Sequence, residues 1–110
     1  MNLRDLNYLV TVTDLKHFGR AAEQCFVSQP TLSMQLKKLE EELGVQLFER
    51  NNKRVMVTPI GKAIADQARN ILREAKHLKS IAAHANDSFI SQINIAIIHT
   101  IETYILTKII

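Results

Sequence analysis

Every glycine and proline in this 110-residue chain, the residues least compatible with a helix interior, falls within the first 61 positions: Gly19, Pro30, Gly44, Pro59 and Gly61. The first sixty residues are therefore cut into short pieces, whereas everything after Gly61 is free to continue as long, unbroken secondary structure. Residues 2–15 predict a first helix. Asn2 is a natural N-cap with Asp5 three positions on, as in a capping box, and Leu6, Leu9, Val10 and Thr13 recur at helical spacing. Residues 18–25 predict a short second helix with Ala21 and Ala22 on its close-packing face. Ser28 then caps a third helix over residues 29–43, with Pro30 in the first turn, where its missing N–H costs nothing.

On this third helix Leu32, Leu36, Leu39 and Leu43 share one face. Pro30, Ser33, Met34 and Lys37 occupy the opposite face, flanked by Thr31 and Lys38, and Gly44 follows as the C′ residue. Phe48-Glu49-Arg50 and Val55-Met56-Val57 read as two short strands around the polar, basic turn Asn51-Asn52-Lys53-Arg54.

Thr58 as N-cap and Pro59 at N1 open a fourth helix, expected to run to about Ala85. One strip of it reads Gly61, Ile64, Ala68, Ile71, Ala75, Leu78, Ala82, Ala85, in alternating steps of three and four that make a heptad seam. A lone helix cannot bury such a seam on itself. The pattern therefore predicts a homodimer, with Ile64, Ala68, Ile71, Ala75, Leu78 and Ala82 meeting their copies; packing on the N-terminal part accounts only for the first turn or two. Beyond it, Ile93, Ile95, Ile97 and Ile98 predict a buried strand and residues 100–110 the start of a helix, as at the opening of an α/β domain whose remainder is absent.

Composition excludes several functions. With 46% hydrophobic and 23% charged residues the chain is of ordinary globular type, and a formal charge of +3 permits an anionic partner without requiring one. The single cysteine excludes an intrachain disulfide framework and a Cys-rich zinc site, and suits a reducing, cytoplasmic setting. Arg4 and Asp5 stand where a signal peptide would begin its apolar region. The longest uncharged run, residues 88–101, is 14 residues long, against about 20 for a bilayer span, so no membrane partner is expected. No Gly-rich phosphate loop and no hydrolase or metalloprotease motif occurs, so neither an enzyme nor a cofactor is expected. His77 and His84 lie seven apart and share a face, but no carboxylate or cysteine completes a metal-ligand set. Cys25, amid Ala22, Phe26 and Val27, reads as a small buried hydrophobe.

DNA binding has positive support. A short helix, a three-residue turn and a helix that starts with small polar residues form a helix-turn-helix pattern. Small side chains near the start of the third helix let its backbone enter a major groove, where Gln29, Thr31, Ser33 and Gln35 supply donors and acceptors beside Pro30 and Met34. Lys37 and Lys38 flank the groove, and Arg50, Lys53 and Arg54 reach backbone or an adjacent minor groove. Glu40, Glu41 and Glu42 lie at the far end of the helix, away from the DNA.

Several motifs in order carry a resemblance: Leu6-Asn7-Tyr8-Leu9, Phe18-Gly19-Arg20-Ala21-Ala22, Val27-Ser28-Gln29-Pro30-Thr31-Leu32-Ser33, Leu36-Lys37-Lys38-Leu39-Glu40, Leu43-Gly44-Val45-Gln46-Leu47-Phe48-Glu49-Arg50 and Val57-Thr58-Pro59-Ile60-Gly61. Over residues 1 to about 88 the chain resembles the LysR-type transcriptional regulators. Within them it is most similar to the hydrogen-peroxide-inducible activators, through Met1-Asn2-Leu3-Arg4-Asp5-Leu6, His17-Phe18, Cys25, Asp66-Gln67-Ala68-Arg69 and Leu72-Arg73-Glu74.

The resemblance implies a winged helix-turn-helix, a dimerising linker helix, a C-terminal sensor domain of periplasmic-binding-protein type, and inverted-repeat operators bound by a dimer. A tetramer in this family also uses the sensor domain. The peroxide-reactive cysteine pair of such activators lies in that domain, so Cys25 is not given the sensing role.

The expected class is thus mainly α. A winged helix-turn-helix takes residues 1–58 (helix-turn-helix about 18–37, wing about 48–57) and a linker helix 59–86. The first strand and helix of a truncated α/β sensor domain take 87–110. The tail departs from the family pattern. Relatives place Gly and Pro near Ala96, His99, Glu102 and Thr107, whereas here eight of the last 18 residues are isoleucine. We expect a truncated gene product or a fragment of a longer chain. The rival expectation is a dimerisation module that forms inactive heterodimers with intact regulators, or a non-functional remnant.

Overall fold

A computed structural model of the chain describes residues 1–50 and 54–109, with side-chain surroundings as far as residue 102. The turn residues Asn51, Asn52 and Lys53, the last of them an expected DNA contact, lie outside the described residues. The element order is α1 (Leu3–Leu15), α2 (Phe18–Gln24), α3 (Gln29–Leu43), β1 (Phe48–Arg50), β2 (Val55–Val57) and α4 (Pro59–Ile109). Two compact units result, Met1–Glu74 and Ala75–Ile110.

The helices of the first unit start where side-chain acceptors meet their first free N–H groups. Asn2 Oδ1 accepts from the Asp5 N–H at 2.9 Å, and Ser28 Oγ accepts from the Thr31 N–H at 3.2 Å. His17 does the same for α2 through Nδ1, which accepts from the Arg20 N–H at 3.0 Å, a cap that the sequence reading did not identify. Helix α3 ends on Gly44 in the left-handed region (φ 70°), as its position after the last leucine predicts.

Burial follows the helical stripes. Leu6, Tyr8, Leu9 and Val12 of α1 pack with Ala21 and Ala22 of α2, Leu32, Leu36 and Leu39 of α3, and Leu47 and Phe48. Leu43, expected on the same face as the other leucines of α3, is the last residue of the helix and stays 37% exposed. The strands form an antiparallel pair with Phe48 opposite Val57 and Arg50 opposite Val55.

The start of α4 lies close on the first unit. Gly61 presses against the chain before β1 so closely that a Cβ there would sit 2.1 Å from the Leu47 carbonyl oxygen. Ala65 and Ala68 are buried in the same core, with Ile64 and Leu72 packed against it. Ala68, expected to meet a second copy, is 1% exposed in the single chain, and Ile64 is half-buried by it. Because Gly61, Ala65 and Ala68 are small, α4 approaches the domain closely over about three turns rather than the one or two expected.

The described residues of the second unit are all helical, and this overturns the expected strand at Ile93, Ile95, Ile97 and Ile98 and the expected helix end near Ala85. A β-strand needs a neighbouring strand to satisfy its N–H and C=O groups, and no other strand is described in this unit. A helix satisfies them within itself, and no glycine or proline after Gly61 stops it. The consequence is apolar exposure: Phe89, Ile90, Ile93, Ile95, Ile97, Ile98 and Ile101 are each 42–67% exposed. No helix among the described residues is long and apolar enough to cross a membrane.

Gly61→Ala should destabilise the first unit by about 3 kcal/mol, since backbone rather than a flexible side chain opposes the new methyl group. Urea unfolding followed by circular dichroism measures it, and an unchanged midpoint would show that α4 is free to move off Leu47. A second expectation concerns Asp14, whose carboxylate is held by the Arg69 guanidinium below its ordinary value of 3.8. The contribution of this exposed pair is fully present above the unfolded value and is lost as pH falls through the lowered one. Asp14→Asn should therefore lower the melting temperature by a few degrees near neutral pH, with the difference from the parent closing as the pH falls well below the ordinary carboxylate value.

Candidate nucleic-acid interface

The turn between α2 and α3 is held by its own backbone. The Cys25 N–H donates to the Ala21 carbonyl, the Phe26 N–H to Glu23 and the Val27 N–H to Ala22, at 2.9, 3.1 and 3.0 Å. Cys25 and Val27 are half-buried against the core, in keeping with the hydrophobic reading of the cysteine. Phe26 between them has φ 59°, in the left-handed region, and is 94% exposed. The turn thus launches α3 in a fixed direction, at the cost of holding a bulky residue in a backbone state it disfavours.

Burial of Leu32, Leu36 and Leu39 sets the rotation of α3 and so decides which side chains face outward. Gln29, Pro30, Met34, Lys37 and Lys38 are exposed, while Thr31, Ser33 and Gln35 are half-buried along the edges of the leucine stripe. The Thr31 hydroxyl accepts from Ser28 Oγ at 2.8 Å and keeps its own proton to donate. Gly19 lies beside this surface. A Cβ there would be 3.0 Å from His17 Cε1 and 3.6 Å from Gln29 Oε1, so the N-terminal ends of α2 and α3 lie side by side.

The wing residues divide. Arg54 is exposed at the entry to β2, and Lys53 is outside the described residues. Arg50, expected to reach DNA, is turned toward the domain: its guanidinium lies 5.2 Å from the Phe18 ring centre, and Nη2 is 3.3 Å from Glu40 Oε1. The acidic run is likewise engaged rather than merely distant, since Glu40 also accepts from the Leu47 N–H at 3.0 Å and Glu42 accepts from the Met1 amine at 3.0 Å.

Two cations that the sequence reading did not single out, Lys16 and Lys62, line a groove of about 770 Å³ together with Arg54, Met56, Asp14 and Arg69. Helix spacing alone does not show that the end of α1 and the start of α4 flank the same strand. Of the expected dimer residues, Ile71 is 36% exposed, Ala75 is half-buried, Leu78 is 69% exposed and Ala82 is exposed.

The family model described as bacterial regulatory helix-turn-helix protein, lysR family, matches residues 3–62. Over all 110 residues the chain is 48% identical to the DNA-binding transcriptional dual regulator OxyR of Escherichia coli K12, of which it spans 36%. It is 47% identical to a hydrogen peroxide-inducible genes activator of Pectobacterium carotovorum, again spanning 36%. The chain thus spans about a third of the length of these curated relatives. Full-length OxyR from Pseudomonas aeruginosa superposes with a TM-score of 0.72 at 51% identity, covering 74% of this chain and 28% of that one. The DNA-binding domain of BenM in complex with benA site 1 DNA superposes with a TM-score of 0.73 at 38% identity, covering 76% and 94%.

Replacing Phe26 by asparagine, which tolerates the left-handed region, should raise the melting temperature by about 3–6 °C. A fall instead would show that the exposed ring supports the turn.

Proposed function

The chain belongs to the lysR family of bacterial regulatory helix-turn-helix proteins, and from that premise we propose that it binds double-stranded DNA sequence-specifically, as a homodimer on an inverted-repeat operator. The observation that carries the proposal is the outer face of α3. Beside its buried leucines the helix presents Gln29, Thr31, Ser33 and Gln35 for base edges, and Lys37 and Lys38 stand further round, on the outer side, for phosphates. Pro30 and Met34 supply apolar contact on that face, and the wing adds Arg54 with Lys53. A BenM neighbour that this chain covers almost entirely is a DNA-binding domain complexed with DNA, which supports the reading.

The dimer uses the heptad seam of Ile64, Ala68, Ile71, Ala75, Leu78 and Ala82, on which Ile71, Leu78 and Ala82 are exposed. The relatives named as hydrogen peroxide-inducible genes activators support a role in an oxidative-stress response. On that reading this chain supplies the DNA-binding part. Peroxide sensing and any tetramer belong to further sequence, and Cys25 packs rather than senses. A cytoplasmic setting and the absence of an enzymatic role follow from the same reading.

Fluorescence anisotropy with an inverted-repeat duplex and a scrambled duplex at two salt concentrations tests it. The inverted repeat should be preferred at both. Lys37→Ala or Arg54→Ala should weaken both duplexes and flatten the plot of log K against log salt by about 0.9, one phosphate's worth. Ser33→Arg should instead change which bases are preferred. Equal binding of both duplexes by the parent chain sinks the proposal.

A further inference from the structure

Arg50, expected to contact DNA, is instead paired with a carboxylate on the helix that would read the DNA. Glu40 sits in the fourth and last turn of α3, with its side chain only 15% exposed. One carboxylate oxygen accepts from the Leu47 N–H at 3.0 Å, immediately before β1, and the other lies 3.3 Å from Arg50 Nη2, at the end of β1. The guanidinium also covers the Phe18 ring at the start of α2, and that ring meets Phe48 of β1 edge-on at 6.0 Å between centres. One carboxylate thus grips both ends of the first wing strand, and one guanidinium joins that strand to α2 and α3.

We infer that Glu40 is a positioning residue that sets the wing at a fixed distance from the recognition helix, with Arg50 as its strut rather than as a phosphate contact. The inference rests on the DNA-binding reading above. Two features of the geometry support it. A charged pair with a partly buried acceptor resists rearrangement more than a solvent-exposed one. A strand of three residues has too few ladder bonds to hold a direction by itself. With the wing fixed, the bases contacted by α3 and the flanking phosphates met beyond Arg50 are read in one register. Without it, each is met separately and sequence discrimination at the flank falls.

The test uses the full chain and a duplex selected from a random-sequence library by the parent protein, together with the same duplex randomised only at its flanks. Arg54→Ala, as a comparator, flattens the salt dependence by about one phosphate. Arg50→Met and Glu40→Gln should each leave the salt slope as in the parent while lowering the preference for the selected flank by about 3- to 10-fold. The double variant should be no worse than either single one. Glu40→Gln keeps an acceptor for the Leu47 N–H, so it reads the ion pair and not the strand's attachment. If Arg50→Met does not fold, Arg50→Gln replaces it, and Arg50→Lys should restore part of the flank preference. A slope flattened by one phosphate in Arg50→Met, with Glu40→Gln like the parent, overturns the inference and makes Arg50 a DNA contact. Multiplying losses in the double variant overturn it as well. If the parent selects no sequence at all, the DNA-binding reading itself has failed and the inference falls with it.

Discussion

The peptide group of Leu47 has no side-chain chemistry of its own, yet three parts of the domain meet on it. Its N–H donates to Glu40 of α3. Its carbonyl accepts from the Thr58 N–H at 3.0 Å and from the Thr58 hydroxyl at 3.1 Å, and Gly61 of α4 lies directly against it. Its side chain is fully buried. A buried backbone group must find partners, and here the partners are the recognition helix on one side and the N-cap of α4 on the other. Where the wing begins, where α4 departs and how far each stands from α3 all follow from this group.

Around it, magnitudes separate what holds the fold from what orients it. A fully buried leucine contributes about 1.5–3 kcal/mol, and Leu9, Leu32, Leu36, Leu39 and Leu47 are all of that kind. An exposed ion pair such as Asp14 with Arg69 contributes about 1 kcal/mol or less. Apolar burial therefore makes the domain. Polar contacts choose among arrangements that burial leaves nearly equal, such as the rotation of a short hairpin. The left-handed backbone at Phe26 belongs to the same second group: it costs stability and fixes the direction in which α3 leaves the turn.

Helix α4 shows the two regimes in succession. Small residues at Gly61, Ala65 and Ala68 let it lie close on the first unit, where the core covers them. In the second unit the same helical pattern leaves Leu78, Ile81 and Phe89 more than half exposed. A helix with apolar residues on several faces is stable in water only when something covers it.

The sequence by itself determined most of the local structure of residues 1–50 and 54–60. Asn2, Ser28, Thr58 and Gly44 mark helix ends through hydrogen bonds and backbone conformations that act within a few residues. The leucines of α3 define its buried face by spacing alone. The outer face of the same helix was legible for the same reason, since whatever the buried stripe leaves over must face out. What only the tertiary structure decided was every question of which surface covers which. A heptad seam reads identically whether its partner is another copy or the chain's own core, and Ala68 on that seam is buried within the single chain. Alternating isoleucines suit a strand, but a strand exists only with a neighbour, and residues 93–98 are helical where none is described. Arg50 carries the charge expected of a DNA contact. Its direction depends on Glu40 and Phe18, ten and thirty-two positions away in sequence and brought to it only by the packing of three elements.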